Sequence, residues 1–482
     1  MSFLSVSVLQ TLLIAGLALT LAGCEVGPDY QKPETALPLG WVSDADKTAD
    51  AKEAVDQQWW QNFNDPVLTQ LVNRATSGNL DIKIAEARIA QARAQLASAD
   101  AALLPTGEVK GTATREANQL ALPGGAGNSF GPLLKKPFNV FQTGFDASWE
   151  LDLFGGNRRA DEAASAQMEA SEASRDDVMV SLMAEVARTY VDIRQYQARL
   201  AIAQNTIASN RDSLRIARQR FNAGEAPGID VIQAESELEA AQIQLPQNRN
   251  LLSQAEFSMD VLIGEQPGAT RNLVAQAAPI PSSDKKLVLS VPASVIAQRP
   301  DIRISERKLA SATAHQGVAA AKFFPDISLS GFFGSLTTNG TQLLNGASES
   351  WVGSGTLIWP ILSYGSLSAN LDAADAQQQE AMANYQKTIL GALSDVERSL
   401  TAYTEQQKFV QSAHNEAEKD RHARDIAVQR YQSGLTSFID VLEADRTLYS
   451  SQDQLAKAQA ELSQDLIALY KSLGGGWQKT KN

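Results

Sequence analysis

The chain has 482 residues, with 42 Lys plus Arg against 55 Asp plus Glu and a formal net charge of -13, so it lacks the basic face that a nucleic-acid partner requires. Apolar residues make up 44% and aromatic ones only 6%, thin for the roughly three domains of ~150 residues that the length suggests, and better suited to a helix-rich, elongated chain. A single cysteine and three histidines exclude a disulfide framework and a structural zinc site.

Residues 4–23 form an apolar run that ends in small residues just before Cys24, which reads as a secretion signal. Leu21-Ala22-Gly23-Cys24 resembles a bacterial lipobox. That resemblance implies a covalent lipid on the Cys24 thiol, the chain's only expected prosthetic group, and cleavage that makes Cys24 the first mature residue. Residues 2–23 carry no Lys or Arg, so the positive end of the signal rests on the terminal amine. No basic stop-transfer cluster follows, which argues against a transmembrane anchor. Lipoprotein sorting, as the lipobox implies it, holds Asp-bearing chains in the inner membrane, so Glu25 points outward. The expected domain plan is a signal over 1–23, a lipid-anchored segment over 24–65, a first structural repeat over 66–275, a second over 286–474 and a tail over 475–482.

The repeat is legible directly. Ala217 to Ala234 reads ARQRFNAGEAPGIDVIQA, and 210 positions on, Ala427 to Ala444 reads AVQRYQSGLTSFIDVLEA. Arg220 and Arg430, Phe221 and Tyr431, Gly224 and Gly434, and Asp230 and Asp440 fall in register, as do Trp149 and Trp359. An offset of 220 matches Leu80 to Ala101 with Pro300 to Ala321. The difference of ten places an insertion in the Gly/Pro-rich stretch from Leu122 to Pro137.

In chain order, Asp65-Pro66 predicts a capped helix start, with the helix resuming after Gly78 and running to Leu104. Thr106 to Arg115 is the first strand. Phe141, Thr143, Phe145, Ala147, Trp149, Leu151 and Leu153 then alternate with polar residues, giving a second strand with one greasy face. Asn157 to Ala223 holds neither Gly nor Pro over 67 residues, about 100 Å of helix. Within it Leu200, Ile207, Leu214 and Phe221 recur every seven residues, with Ala203, Asn210 and Ala217 between them, as in a coiled coil. The chain turns at Gly224 and returns over Asp230 to Ile263, where Pro246 should kink it. The second repeat has strands at Ile327 to Gly334 and Trp351 to Ile361, a helix over Ser366 to Ser433, a turn at Gly434 and a return over Ser437 to Leu473.

A secreted chain with amphipathic strands can form a membrane barrel, apolar outside and polar within. Four strands cannot close one, and open edges in a bilayer are costly, so closure demands several copies: two give eight strands, and three give twelve, wide enough for a water channel. Charged helices of ~100 Å cannot lie in a ~30 Å bilayer and must project into water. His414 and His422 are about 12 Å apart along one helix, too far for one metal or a proton relay, and His315 has no sequence neighbour; all three read as solvated. Gly155-Gly156-Asn157 could form an anion nest, but the matching Gly365-Ser366 suggests a strand-to-helix joint with an N-cap.

The duplicated unit, the start Cys24-Glu-Val-Gly-Pro-Asp-Tyr-Gln-Lys-Pro33, Trp59-Trp60-Gln-Asn-Phe63, Arg299-Pro-Asp301, Tyr431-Gln-Ser-Gly434 with Asp440-Val-Leu-Glu-Ala444, and Leu473-Gly-Gly-Gly-Trp477 resemble the TolC-like outer membrane efflux channels, in their OprM-like lipoprotein branch. The resemblance spans nearly the whole chain. It implies no enzyme but a homotrimer: a twelve-stranded β-barrel in outer membrane lipid, continued by a twelve-helix α-barrel in the periplasm. It implies two partners, a periplasmic adaptor (membrane fusion protein) and an inner-membrane pump of the RND type, and no nucleic acid. It further implies a periplasmic gate at Ile439, Asp440 and Glu443. Tyr431 matches a tyrosine that ties the closed tip, while Thr436 replaces a cationic tie. Gly224 and Gly434 mark the turns where the adaptor would dock. A duct for type I protein secretion and a lipid-anchored coiled-coil spacer without a pore are the alternatives; the lipobox argues against the first, the strand tryptophans against the second.

Overall fold

A computed structural model describes residues 25–42, 57–116, 137–283 and 292–477. The signal, Cys24 and most of the Leu122 to Pro137 insertion lie outside the described residues. Helices α1 (Pro66–Gly78) and α2 (Leu80–Ala102) precede strands β1 (Thr106–Glu116) and β2 (Phe138–Leu151), then α3 (Gly156–Asn222), α4 (Gly228–Leu262) and the short α5 (Arg271–Val274). The second half runs α6 (Pro292–Gln298), α7 (Pro300–Ala321), β3 (Asp326–Thr337), β4 (Glu349–Ile358), α8 (Tyr364–Gln432) and α9 (Phe438–Ser472). Among the described residues no helix is long and apolar enough to cross a membrane.

The chain divides into two compact units. One holds, of the described residues, 25–33, 90–116, 137–170 and 306–384 and contains the sheet, a four-stranded antiparallel meander in the order β1-β2-β3-β4. Its register sorts the side chains. Val109, Phe145, Phe333 and Trp351 stand opposite one another across all four strands, and Trp149 opposes Leu329 four residues along. These residues share one face and are exposed. Stepping by one residue reverses the chemistry: Glu108, Asp146, Phe332 and Val352 form one row of the other face, and Thr106, Ser148, Ser330 and Ser354 form the next. The expected alternation is therefore present, with a polar face that admits Phe332 and Val352. β2, β3 and β4 begin before the residues that alternation marked, and β2 and β4 also end sooner than it suggested.

At the helix-proximal rim the repeat is visible atom by atom. The Trp149 indole donates to the Leu103 carbonyl at 3.0 Å, and Trp359 donates to the Phe323 carbonyl at 3.1 Å. Phe154 stacks on Phe324 with centroids 4.7 Å apart, and Phe323 meets Tyr364 edge-on at 5.7 Å. Aromatic side chains with their polar atoms satisfied are what a membrane–water boundary selects.

In the same unit residues 25–33 lie along α3 and α7. The Val26 amide donates to the Phe154 carbonyl at 3.2 Å. Arg159, 3% exposed, pairs with Glu25 at 3.3 Å, Asp29 at 2.6 Å and Glu162 at 2.7 Å. Gly27 and Gly317 touch closely enough that a Cβ on Gly27 would stand 2.5 Å from the Gly317 Cα, so only glycine fits there. At Gly155-Gly156-Asn157, read as a strand-to-helix joint rather than an anion nest, the free amides are occupied by the chain itself. The Asp152 carboxylate accepts from the Asn157 amide at 3.1 Å and the Arg158 amide at 2.9 Å. In the second repeat α8 starts at Tyr364, and the Ser366 hydroxyl donates back to the Ser363 carbonyl at 2.9 Å, so Ser366 is not an N-cap.

The other unit holds, of the described residues, 34–42, 57–89, 171–283, 292–305 and 385–477. Its core gathers Trp59, Leu68, Leu71, Tyr190, Ile193, Met259, Val396, Leu400 and Ile467. Trp59 stacks on Tyr470 at 5.4 Å. Asp65 caps α1 as expected, accepting from the Val67 amide at 2.8 Å and the Leu68 amide at 3.1 Å. It also accepts from the Tyr190 hydroxyl at 2.7 Å, which in turn accepts from Arg194 at 2.9 Å. The Arg299-Pro-Asp301 motif anchors the chain's end: Arg299 holds Asp301 through two bonds of 3.0 and 2.7 Å and donates to the Ser472 carbonyl at 2.8 Å. Trp477 donates to the Gln298 carbonyl at 3.2 Å.

The coiled-coil reading needs one correction. Ala203, Ile207, Asn210, Leu214 and Ala217 are buried at alternating spacings of four and three, but Leu200 is half-buried and Phe221 is 49% exposed. The seam keeps Ile207 and Leu214 together with the smaller residues between them and stops before the turn. α4 passes through Pro246 without ending. His315, His414 and His422 are all exposed.

Candidate functional site

The paired helical turns carry the candidate site, all within the second unit. Both ends are built alike, because both sequences place glycine two residues past the last helical residue. Gly224 has a φ of 74° and Gly434 of 72°. Around the first, the Gly224 amide donates to the Phe221 carbonyl at 3.0 Å and the Glu225 amide to the Arg220 carbonyl at 2.9 Å. Around the second, Gly434 donates to Tyr431 at 3.0 Å and Leu435 to Arg430 at 2.9 Å. Such C-terminal turns satisfy the last carbonyls and require a left-handed residue.

Behind the turns lies a small core of Leu214, Ala217, Ala234, Tyr431, Phe438, Val441 and Leu442, drawn from α3, α4, α8 and α9. Tyr431 is its centre. Its ring tilts against Phe438 at 5.1 Å, and the Arg220 guanidinium lies over it 4.7 Å from the centroid. Arg220 also donates to the Tyr431 carbonyl, and the Tyr431 hydroxyl donates to Asp230 Oδ2 at 3.0 Å. Burial, and then the bond to Asp230, push the Tyr431 hydroxyl up to about 12, against the pull of Arg220. A raised value means that this tie is fully present below the ordinary tyrosine pKa of about 10 and is lost only as pH rises through about 12.

Above this core, Asp445 is buried and accepts from Arg424 at 2.9 Å and Ser213 at 3.3 Å. Arg446 pairs with Glu237 at 2.7 Å, and Arg199 with Asp453 at 2.6 Å. Sequence spacing showed none of these cross-links, because each joins residues more than 200 positions apart except the Arg424 pair.

The expected gate residues divide by environment. Ile439 is 51% exposed, and Glu443, one turn further on, is exposed on the same face. Asp440 is exposed as well, but it is employed locally. As the third residue of a capping box with Ser437, it accepts from the Ser437 amide at 3.2 Å and from the Thr436 hydroxyl. The Thr436 bond, with the Ser437 cap, holds its carboxyl below the usual range. Thr436, read as replacing a cationic tie, serves Asp440 of its own turn. At about 100° per residue, Asp440 points sideways when Ile439 and Glu443 point forward. Its repeat partner Asp230 is buried under Tyr431, so the two matched acids have different tasks. Gly224 and Gly434 are exposed at the ends.

Comparison with known proteins gives a consistent result. A family described as "Outer membrane efflux protein" matches residues 71–265 and 291–475. The Pyoverdine export outer membrane protein OpmQ of Pseudomonas putida is 32% identical over 469 residues, covering 96% of both chains. Nodulation protein T of Rhizobium leguminosarum bv. trifolii is 31% identical over 467 residues, 95% of this chain and 96% of its own length. Among solved structures, the outer-membrane channel OprN superposes with a TM-score of 0.87 at 34% identity, over 95% of this chain and 100% of its own.

Proposed function

The chain belongs to the outer membrane efflux protein family, a family of transport proteins rather than enzymes, and from that premise we propose that it works as the exit duct of a tripartite efflux system. Three copies close a twelve-stranded barrel, an adaptor docks at the turns around Gly224 and Gly434, and an inner-membrane pump of the RND type supplies the cargo. One observation carries this reading. β1 and β4 are each paired on one side only among the described residues, in a sheet whose one face bears Val109, Phe145, Phe333 and Trp351. Unpaired edges cannot remain open in lipid, and the symmetric way to remove them is to join β4 of one copy to β1 of the next. The polar face then lines water. The full-length protein in planar bilayers should conduct ions, and native mass measurement in detergent should return a trimer. A conducting monomer or dimer would refute the stoichiometry, and a trimer without conductance would refute the duct.

Lipid anchoring at Cys24 is part of the same reading. It is supported by the place of residues 25–33, since the Val26 amide is held by Phe154, three residues beyond the end of β2. A lipid on Cys24 would therefore start beside the aromatic rim of the sheet, where an acyl chain can enter the bilayer. A fatty-acid analogue should label the wild type and spare Cys24→Ala; equal labelling would remove the lipid from the proposal. Conduction should survive the substitution, because the sheet itself spans the membrane.

Within the duct, Ile439 and Glu443 form the periplasmic aperture with Asp440 beside them, and Tyr431 holds it closed. Their exposure on one helix at the turn supports this: a threefold axis makes one Glu443 into a ring of carboxylates.

A further inference from the structure

The two hairpin tips match at an offset of 210 residues, yet the joint they make is used only once inside a chain. The first hairpin offers Arg220 and Asp230, and the second offers Tyr431, which receives both. The counterparts are Arg430 and Asp440 on the second hairpin and Phe221 on the first. All three are exposed. Phe221 occupies the place of Tyr431, lying against Gly228 as Tyr431 lies against Phe438, its matched position. Arg430 makes no hydrogen bond to another side chain among the described residues, and Asp440 turns back on Thr436 and Ser437.

We propose that these leftover halves meet across the seam between neighbouring copies: Phe221 of one copy packs under Arg430 of the next, whose guanidinium donates to the Phe221 carbonyl. The inference rests on the ring of copies argued above. In such a ring the flank bearing Phe221 and the flank bearing Arg430 and Asp440 face each other, and they are the two sides of a joint this chain already makes. A second copy is therefore the occupant. The arginine-to-carbonyl bond and the cation over the ring can both be repeated. The third element cannot. Phe221 has no hydroxyl to give to Asp440, so each seam between copies lacks the bond that Tyr431 gives Asp230 within a copy. The tips should then part between copies before they part within one.

The full-length protein carrying Phe221→Cys with Asp440→Cys should, with a short bismaleimide, yield dimers and trimers on a denaturing gel. Tyr431→Cys with Asp230→Cys should cross-link without leaving monomer mass. Wild type, whose only cysteine is Cys24, should remain monomeric. A first pair that stays monomeric, while native mass shows an intact trimer, overturns the seam and leaves the trimer standing. Absence of any trimer overturns both. A second measurement supplies the missing donor. Phe221→Tyr should lower the frequency of channel openings about tenfold, the worth of one hydrogen bond to a charged group, and should do nothing in an Asp440→Ala background. An equal fall without Asp440 would overturn the assignment.

Discussion

Replacing Glu443 and Asp440 together by alanine should raise single-channel conductance and weaken block by trivalent cations, while the trimer stays intact. The substitution removes six charges from a trimer and opens space beside Ile439. Three carboxylates around a narrow, axial aperture attract cations and hold multivalent ones, so their loss should be read most strongly in block. The geometry also assigns unequal shares. Glu443 is exposed on the face of Ile439 and has no hydrogen-bond partner among the described residues, so Glu443→Gln alone should carry most of the loss. Asp440 is turned aside and caps α9, so Asp440→Asn should loosen the start of that helix more than it changes block. Its carboxyl is held below the usual range, so the cap is complete above the ordinary carboxylate pKa and fades only as pH falls through the lowered value. Unchanged block in the double variant would place the ring elsewhere and leave both acids as helix-terminal decoration.

The repeat was the most legible feature of the sequence, because its register is a property of one string compared with itself. It anticipated both glycine turns, which share the same hydrogen bonds, and the matched tryptophans. Strand alternation was legible for a similar reason, since a period of two marks a half-buried sheet whatever its partners are. The ends of elements were less so. β2 begins at Phe138 because Asn139 and Val140 find Arg115 and Thr114 across the ladder, and a partner 24 or more positions away leaves no local trace. The same holds for Arg159, whose cluster with Glu25, Asp29 and Glu162 depends on the fit of Gly27 against Gly317. Two lone glycines in separate segments announce nothing by themselves.

The tip shows a subtler limit. Asp230 and Asp440 are matched in sequence, yet the structure gives them different tasks. One is buried under a tyrosine and the other caps its own helix. The difference was present in the string, as Phe221 against Tyr431, one hydroxyl in register. Its meaning depended on knowing that the two hairpins meet.

Tyr431→Phe should open the closed tip without unfolding it. The ring still packs on Phe438, and Arg220 still reaches the backbone carbonyl, so what is lost is one hydroxyl and the bond it gives Asp230. Asp230 is 9% exposed, and a nearly buried carboxylate deprived of its donor costs about 1–3 kcal/mol. That is roughly 5- to 150-fold in the balance of closed and open forms for one tie. If the three tips of a trimer move together, even tenfold per tie multiplies to about a thousandfold, and openings that are infrequent but countable in the wild type become routine. Asp230→Asn, which keeps an acceptor for the hydroxyl, should have a smaller effect. Asp230→Ala combined with Tyr431→Phe should open the channel little further than either change alone, since both remove the same bond. Additive effects in that cycle would mean that Tyr431 closes the tip by packing rather than by its hydroxyl.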